Sequence, residues 1–296
     1  MMIARVALFL LYMLPALGRA DDQELSLNTK LKQLVQLRKA TLDAPNDATR
    51  LEANGEFLKV LRGALEDQKS FKAAFDTIPQ IADLHSEDKF FRMINWNVPM
   101  DDGTHKYYCF VQHYDRKAKQ YVVTELKRGY RGIEGEERKV FSDRDWYGAL
   151  YYKIVTAKMK RNSRKRTYMV LGWDGHNEFS TIKFVDVMVI TPKGIRFGED
   201  IFNWPDRKNI RRVILEYKSN AVVSLRYDEK KKQIIFNKLV PLEPDLEGLP
   251  EFYVPLLEFS GLTWKRGKWL FIEDVDARMD DEKKTYVNPP LPQKLD

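Results

Sequence analysis

Five side chains in this sequence stand out as candidates to move protons or hold cations. His105 follows the turn Asp101-Asp102-Gly103-Thr104, and Asp174 and His176 sit two residues apart in the stretch GWDGHN at 172–177. Asp274 and Asp276 belong to an acidic run that starts at Glu273 and resumes at Asp280, Asp281 and Glu282. An imidazole oriented by a carboxylate can serve as a general base, and two carboxylates in unlike environments can divide acid from base work. The catalytic candidates are therefore His105, His176, Asp174, Asp274 and Asp276, in the role of a hydrolytic His/Asp acid–base pair. The same carboxylate oxygens suit a hard divalent cation, which makes Asp174, Asp274 and Asp276 the candidate metal ligands.

Each pattern also has a plainer explanation. Asp-Gly-His-Asn is ordinary hairpin chemistry, with Asp and Asn satisfying turn amides and with Gly and Asn suited to positive φ. Asp274 and Asp276 would share a strand face if the extended pattern continues past Glu273, and would otherwise close a sheet in water. Segment 174–177 is too short for an EF-hand loop, which needs regularly spaced oxygen donors and a late Glu. The four histidines, His85, His105, His113 and His176, make no His-Glu-x-x-His pair. There is no Gly-x-Ser-x-Gly elbow, Walker loop or Gly-x-Gly-x-x-Gly turn, and no cofactor is expected.

Two further features point to binding. The stretch KMKRNSRKR at 158–166 brings together Lys158, Lys160, Arg161, Arg164, Lys165 and Arg166, a patch for an anionic surface or else a solvated loop. Trp204, in the turn-like Asn-Trp-Pro-Asp, is the indole expected to stay exposed and to recognise a ligand. Most of the other rings (16 Phe, 14 Tyr and 6 Trp in all) are expected to fill the core. Cys109, the one cysteine, sits in strand-like YYCFVQ and is expected to pack as a small hydrophobe. It has no disulfide partner, so packing alone must hold the fold.

These residues need elements to position them. Residues 26–84 have helical period: Leu27, Leu31, Leu34 and Leu42 form one stripe, and Leu51, Phe57, Leu58, Leu61 and Leu65 form another. Phe71, Phe75 and Ile78 suggest a third, short helix ending at Pro79. Beyond residue 88 the pattern changes to period two with frequent turns, as in Phe90–Asn97, Tyr107–Tyr114, Tyr121–Arg128, Thr167–Trp173 and Phe179–Val185. Residues 146–156 read as a strand throughout or as a short helix passing into one. YDRKAKQYVV at 114–123 and YDEKKKQIIF at 227–236 share one turn design, read as two hairpins with the same solution rather than as a duplicated unit. The expected fold class is α+β: helices over 21–87, a mostly antiparallel β domain over 88–278 as a twisted sheet, sandwich or partly closed barrel, and a polar, Pro-rich tail over 279–296. The helices cap the sheet or precede it.

The chain has 296 residues, 44% hydrophobic and 31% charged, the balance of a folded globular protein. Residues 1–20, MMIARVALFLLYMLPALGRA, have the layout of a secretory signal peptide: Arg5, an apolar core, then small residues before Asp21. Arg5 and Arg19 both lie in it, so its removal lowers the formal net charge of +7 by two. That mild excess allows anionic partners without demanding them. No later apolar run is long enough to span a bilayer, so no transmembrane segment is expected once the signal is removed.

In order along the chain come WYGALYYKI (146–154), GWDGHN (172–177) with TIKFVDV behind it, RVILEYKSNAVVSLRYDE (212–229) and GKWLFIEDVDAR (267–278). Over about residues 88–278 this series resembles an uncharacterised family of exported proteins from Bacteroidota. The resemblance implies export in a bacterium with two membranes and carries no catalytic or ligand-binding residue across. The expected function is that of an exported, periplasmic or envelope-associated binding protein without catalysis, with an envelope protein or a glycan as partner and no nucleic acid. The alternatives are a hydrolase using the His/Asp pair, or a structural subunit of an envelope assembly. Nothing in the sequence sets the oligomeric state.

Overall fold

The structure, a computed structural model, describes residues 26–129, 135–156 and 166–277. The signal-like segment 1–20, Lys158, Lys160, Arg161, Arg164, Lys165 and the tail 279–296 lie outside the described residues.

Helices α1 (Leu27–Leu42) and α2 (Asp47–Glu66) follow the expected stripes. Ser26 and Asn46 cap them, their side-chain oxygens accepting from the backbone N–H of Thr29 and Thr49. The third helix is not α-helical. Only a 3₁₀ turn forms at Gln68–Lys72, and the chain then runs irregularly to Pro79 while Phe71, Phe75 and Ile78 stay buried. Three apolar residues at helical spacing record burial; they do not ensure enough intrahelical hydrogen bonds to propagate a helix.

Strands β1 (Ala82–His85), β2 (Phe91–Pro99), β3 (His105–Asp115) and β4 (Gln120–Leu126) form an antiparallel meander, the first sheet. The strand region thus begins inside the stretch assigned to helices from the sequence. The second sheet holds β5 (Phe141–Ser142), β6 (Leu150–Val155), β7 (Arg166–Asp174), β8 (Ser180–Thr191) and β9 (Gly194–Phe197). The third combines β10 (Phe202–Asn203) with β12 (Leu225–Asp228), β13 (Gln233–Pro241), β14 (Tyr253–Lys265) and β15 (Lys268–Ile272), in the order β10-β15-β14-β13-β12. Strand β11 (Val213–Lys218) pairs with β8 in the second sheet. Pairing is antiparallel throughout the named strands except for β10 on β15, so the fold is N-terminal helices followed by a mostly antiparallel, sandwich-like β domain.

Side-chain parity stacks these pieces into layers. Along β2 and β3, Ile94, Trp96, Val98 and Phe110 face the helices, packing on Leu34, Phe57 and Leu61. Their odd-numbered neighbours Phe91, Met93, Tyr107, Cys109 and Val111 face the second sheet. In that sheet Tyr168, Val170, Phe184 and Met188 meet the first sheet, while Met169, Leu171, Val185 and Val187 meet Leu225, Ile234, Phe236 and Trp269 of the third. A sheet covered on both faces needs apolar residues at successive positions, which is why TYMVL and FVDVMVI show no alternation. The helices cap the outer face of the first sheet. Among the described residues no helix is long and apolar enough to cross a membrane.

Three buried arginines tie irregular chain to the layers. Arg38 donates to the carbonyls of Pro79, Gln80 and Asn97. Arg92 donates to the carbonyls of Ser70 and Ala73, and its Nε lies 3.0 Å from Asp83 Oδ1. Arg212 pairs with fully buried Asp186 at 2.9 Å and donates to the carbonyls of Glu136 and Lys139. A guanidinium satisfies several loop carbonyls at once, the demand that buried irregular backbone creates.

Candidate functional site

The GWDGHN segment forms the β7–β8 hairpin, and here sequence and structure partly agree. His176 N–H donates to Asp174 Oδ1 at 3.0 Å, and Asn177 Oδ1 accepts from the backbone N–H of Phe179 and Ser180. Positive φ falls on His176, at 45°, and neither on Gly175 nor on Asn177. Gly175 is required by space. A Cβ there would lie 2.3 Å from His105 Cδ2, because the first sheet's His105 packs directly against this turn. Tyr107 Oη accepts from Gly175 N–H at 2.8 Å, and His105 makes an edge contact with Trp173.

The fold therefore does bring His105, Asp174 and His176 to one junction between the first and second sheets. Asp174 is buried. Burial, with Arg128 adding to it against the opposing pull of Asp174, holds the His105 imidazole below its ordinary range. Its Nδ1 lies 2.9 Å from Asn97 Nδ2. His176 Nδ1 stands 4.0 Å from Asp174 Oδ2 and its Nε2 3.7 Å from Glu216 Oε1, both beyond a hydrogen bond, while Glu216 Oε1 accepts from Ser180 Oγ at 2.6 Å. These groups are largely spent on the turn and on joining two layers.

Asp274 and Asp276 lie apart from that junction, beside β14 of the third sheet. They do not continue a strand: β15 ends at Ile272 and Asp274 has a φ of 52°, so the shared strand face expected from the sequence does not form. Among the described residues no three His, Cys, Asp or Glu side chains converge as metal ligands. Of the basic run, Arg166 is described. It opens β7, stacks on Phe90 and pairs with Asp88 at 3.1 Å, so its charge is already answered. Cys109 is fully buried, and burial pushes its thiol well up.

Trp204 marks the candidate site. Its ring is half-buried, not a lone exposed surface, and it forms a wall of a cleft of about 690 Å³ that opens between the second and third sheets. Phe271 packs on the indole at 4.1 Å and Phe236 lies parallel to it at 6.0 Å, while Arg207 covers it at 4.6 Å. Tyr253 and Asn237 also line it, and Gly135–Arg138 form part of its rim. Glu137 ties the rim together: its Oε1 accepts from Arg207 at 2.9 Å and from Ile214 N–H at 3.2 Å. The volume lies within the range of ligand pockets, and the lining joins an aromatic body to a few placed polar groups. Phe236, Phe271, Tyr253 and Glu137 could not be singled out from sequence, because the cleft draws each from a different strand or loop. The one local signal was Trp204 in its turn.

No protein-family model, curated protein or solved structure matches this chain.

Proposed function

We propose that this protein is an exported binding module, without catalysis, whose ligand sits in the cleft walled by Trp204, Phe236 and Phe271. Export is supported by the signal-like layout of residues 1–20. The observation that carries the binding role is the cleft itself: an aromatic wall left open between two packed sheets, where a folding core would close it. Rings held by Arg207 and by one another lose little freedom when a ligand arrives, which favours binding over rearrangement. The partner class is an envelope protein or a glycan.

The test is a native pull-down from the envelope with identification of what co-purifies, run with the intact chain and with Trp204→Ala and Arg138→Glu variants. One identified partner held by the intact chain and lost by both variants supports the role. Equal capture by all three forms, or clean isolation with turnover of a defined substrate, overturns it. A hydrolytic role draws on one observation, the approach of His176 Nε2 to the Glu216 carboxylate. It would require turnover that His176→Ala abolishes.

A further inference from the structure

Among the described residues, strand β11 has a strand partner on one side only. It pairs with β8 through Val213↔Val185 to Lys218↔Ser180, and no described strand flanks its other edge. Two contacts show which backbone groups face outward. Ser219 N–H donates to Phe179 O, continuing the ladder at odd-numbered residues, and Ile214 N–H turns the other way, to the Glu137 side chain. In an antiparallel ladder a residue's N–H and C=O point to the same side, alternating along the strand. Val213, Leu215 and Tyr217 therefore bond β8, while Ile214 and Glu216 present main-chain groups at the open edge. That edge lines the cleft beside Trp204, Phe236 and Tyr253. Glu137 covers the edge at Ile214, a device that blunts an exposed strand; Glu216 N–H and C=O lie one step beyond its reach.

The rim charges are unevenly committed. Glu137 is neutralised by Arg207, and the Glu216 carboxylate turns to Ser180 and His176 on the far face of the sheet. Arg138 is exposed on the rim, and Lys238 pairs with the exposed Glu258 at 3.3 Å, a pairing that water screens. The lining also carries Glu136, half-buried, so acidic and basic side chains are equal in number; its exposed cations are Arg138 and Lys238, the two places where a ligand carboxylate would be met.

Resting on the binding role above, we infer that the ligand is a polypeptide segment in extended conformation. It adds as a strand along Ile214–Glu216, sets an apolar side chain against Trp204 and Phe236, and places a neighbouring carboxylate near Arg138 and Lys238. Strand addition takes affinity from main-chain hydrogen bonds and specificity from alternate side chains, and the cleft offers both.

The test begins with a displayed library of random nine-residue peptides selected on the full chain. Selected peptides should combine an apolar residue with Asp or Glu. Glu216→Pro removes the outward N–H without touching the β8 ladder, a position where an edge strand tolerates proline. Glu216→Ala removes the same carboxylate but keeps that N–H. The proline variant should bind the best selected peptide about ten-fold more weakly than the alanine variant. Should the proline variant fail to fold, amide exchange in the unaltered chain decides, because bound peptide should slow exchange at Glu216 by about ten-fold or more. Equal binding by the two variants, or an unchanged Glu216 amide, overturns strand addition. If no peptide binds tighter than about 100 μM while a soluble oligosaccharide quenches Trp204 fluorescence, strand addition falls and the binding role stands. If neither binds, both fall.

Discussion

Replacing Gly175 with alanine isolates the contact that joins the first and second sheets. The added Cβ would lie 2.3 Å from His105 Cδ2, 2.5 Å from its Nε2 and 2.9 Å from Trp173 Cη2. Carbon atoms prefer about 3.5–4.0 Å, so the imidazole must move by roughly an ångström. It is held on two sides, by Asn97 Nδ2 at 2.9 Å from Nδ1 and by the Trp173 ring at a centroid distance of 5.3 Å. Losing the hydrogen bond costs about 0.5–1.5 kcal/mol, and losing the ring contact costs a similar amount. Against this, alanine restricts the unfolded chain and returns about 0.4–1 kcal/mol, since Gly175 does not have positive φ. The overlap wins, and the net loss is about 1–2 kcal/mol, inside the range for overpacking. Urea denaturation followed by tryptophan fluorescence measures it. In a His105→Ala background most of the obstruction is gone, so the same substitution should become neutral or stabilising. A Gly175→Ala change that stabilises the parent protein, or that is equally harmful in both backgrounds, refutes this account of the junction.

Arg212→Met should destabilise by about 3–5 kcal/mol, because it strands the buried Asp186 charge and frees the Glu136 and Lys139 carbonyls; a urea midpoint close to the parent's would contradict that. A chain beginning at Ile81 loses both helices and bares Ile94, Trp96, Val98 and Phe110, so it should aggregate. A soluble fragment with one cooperative transition would show that the helices are dispensable. Burial holds the imidazoles of His105 and His113 below their ordinary value of 6.5. At these two sites the unfolded chain binds more protons than the native one as pH falls through about 6.5, so they lower the unfolding free energy between pH 7.5 and 5, while the raised carboxyls of Asp83 and Asp186 act the other way. His113→Phe should flatten that slope, and identical pH profiles would count against the burial argument.

Much of the fold was open to sequence reasoning because local chemistry decides it. Asp115 and Asp228 each accept from two following backbone amides, and Lys119 and Lys232 each have positive φ, so the repeated YD-turn is one hairpin solution used twice. The caps of α1 and α2 and the Arg266-Gly267 turn between β14 and β15 follow from the same short-range rules. The third helix failed because its apolar spacing reflected burial beneath the first sheet and not a hydrogen-bonded ladder.

The candidate site divides along the same line. By itself the sequence determined the turns around Asp174 and Asn177, since an Asx turn involves neighbours a few residues apart. It also marked Trp204 as the indole outside the strand pattern. Only the tertiary structure decided that His105 would lie on Gly175, that Asp274 and Asp276 would lie apart from it beside the third sheet, and that Trp204 would wall a cleft with Phe236 and Phe271. Those outcomes depend on how sheets stack and on which side of β8 the chain returns as β11. Such choices are made by packing between residues far apart in sequence, and no local pattern records them.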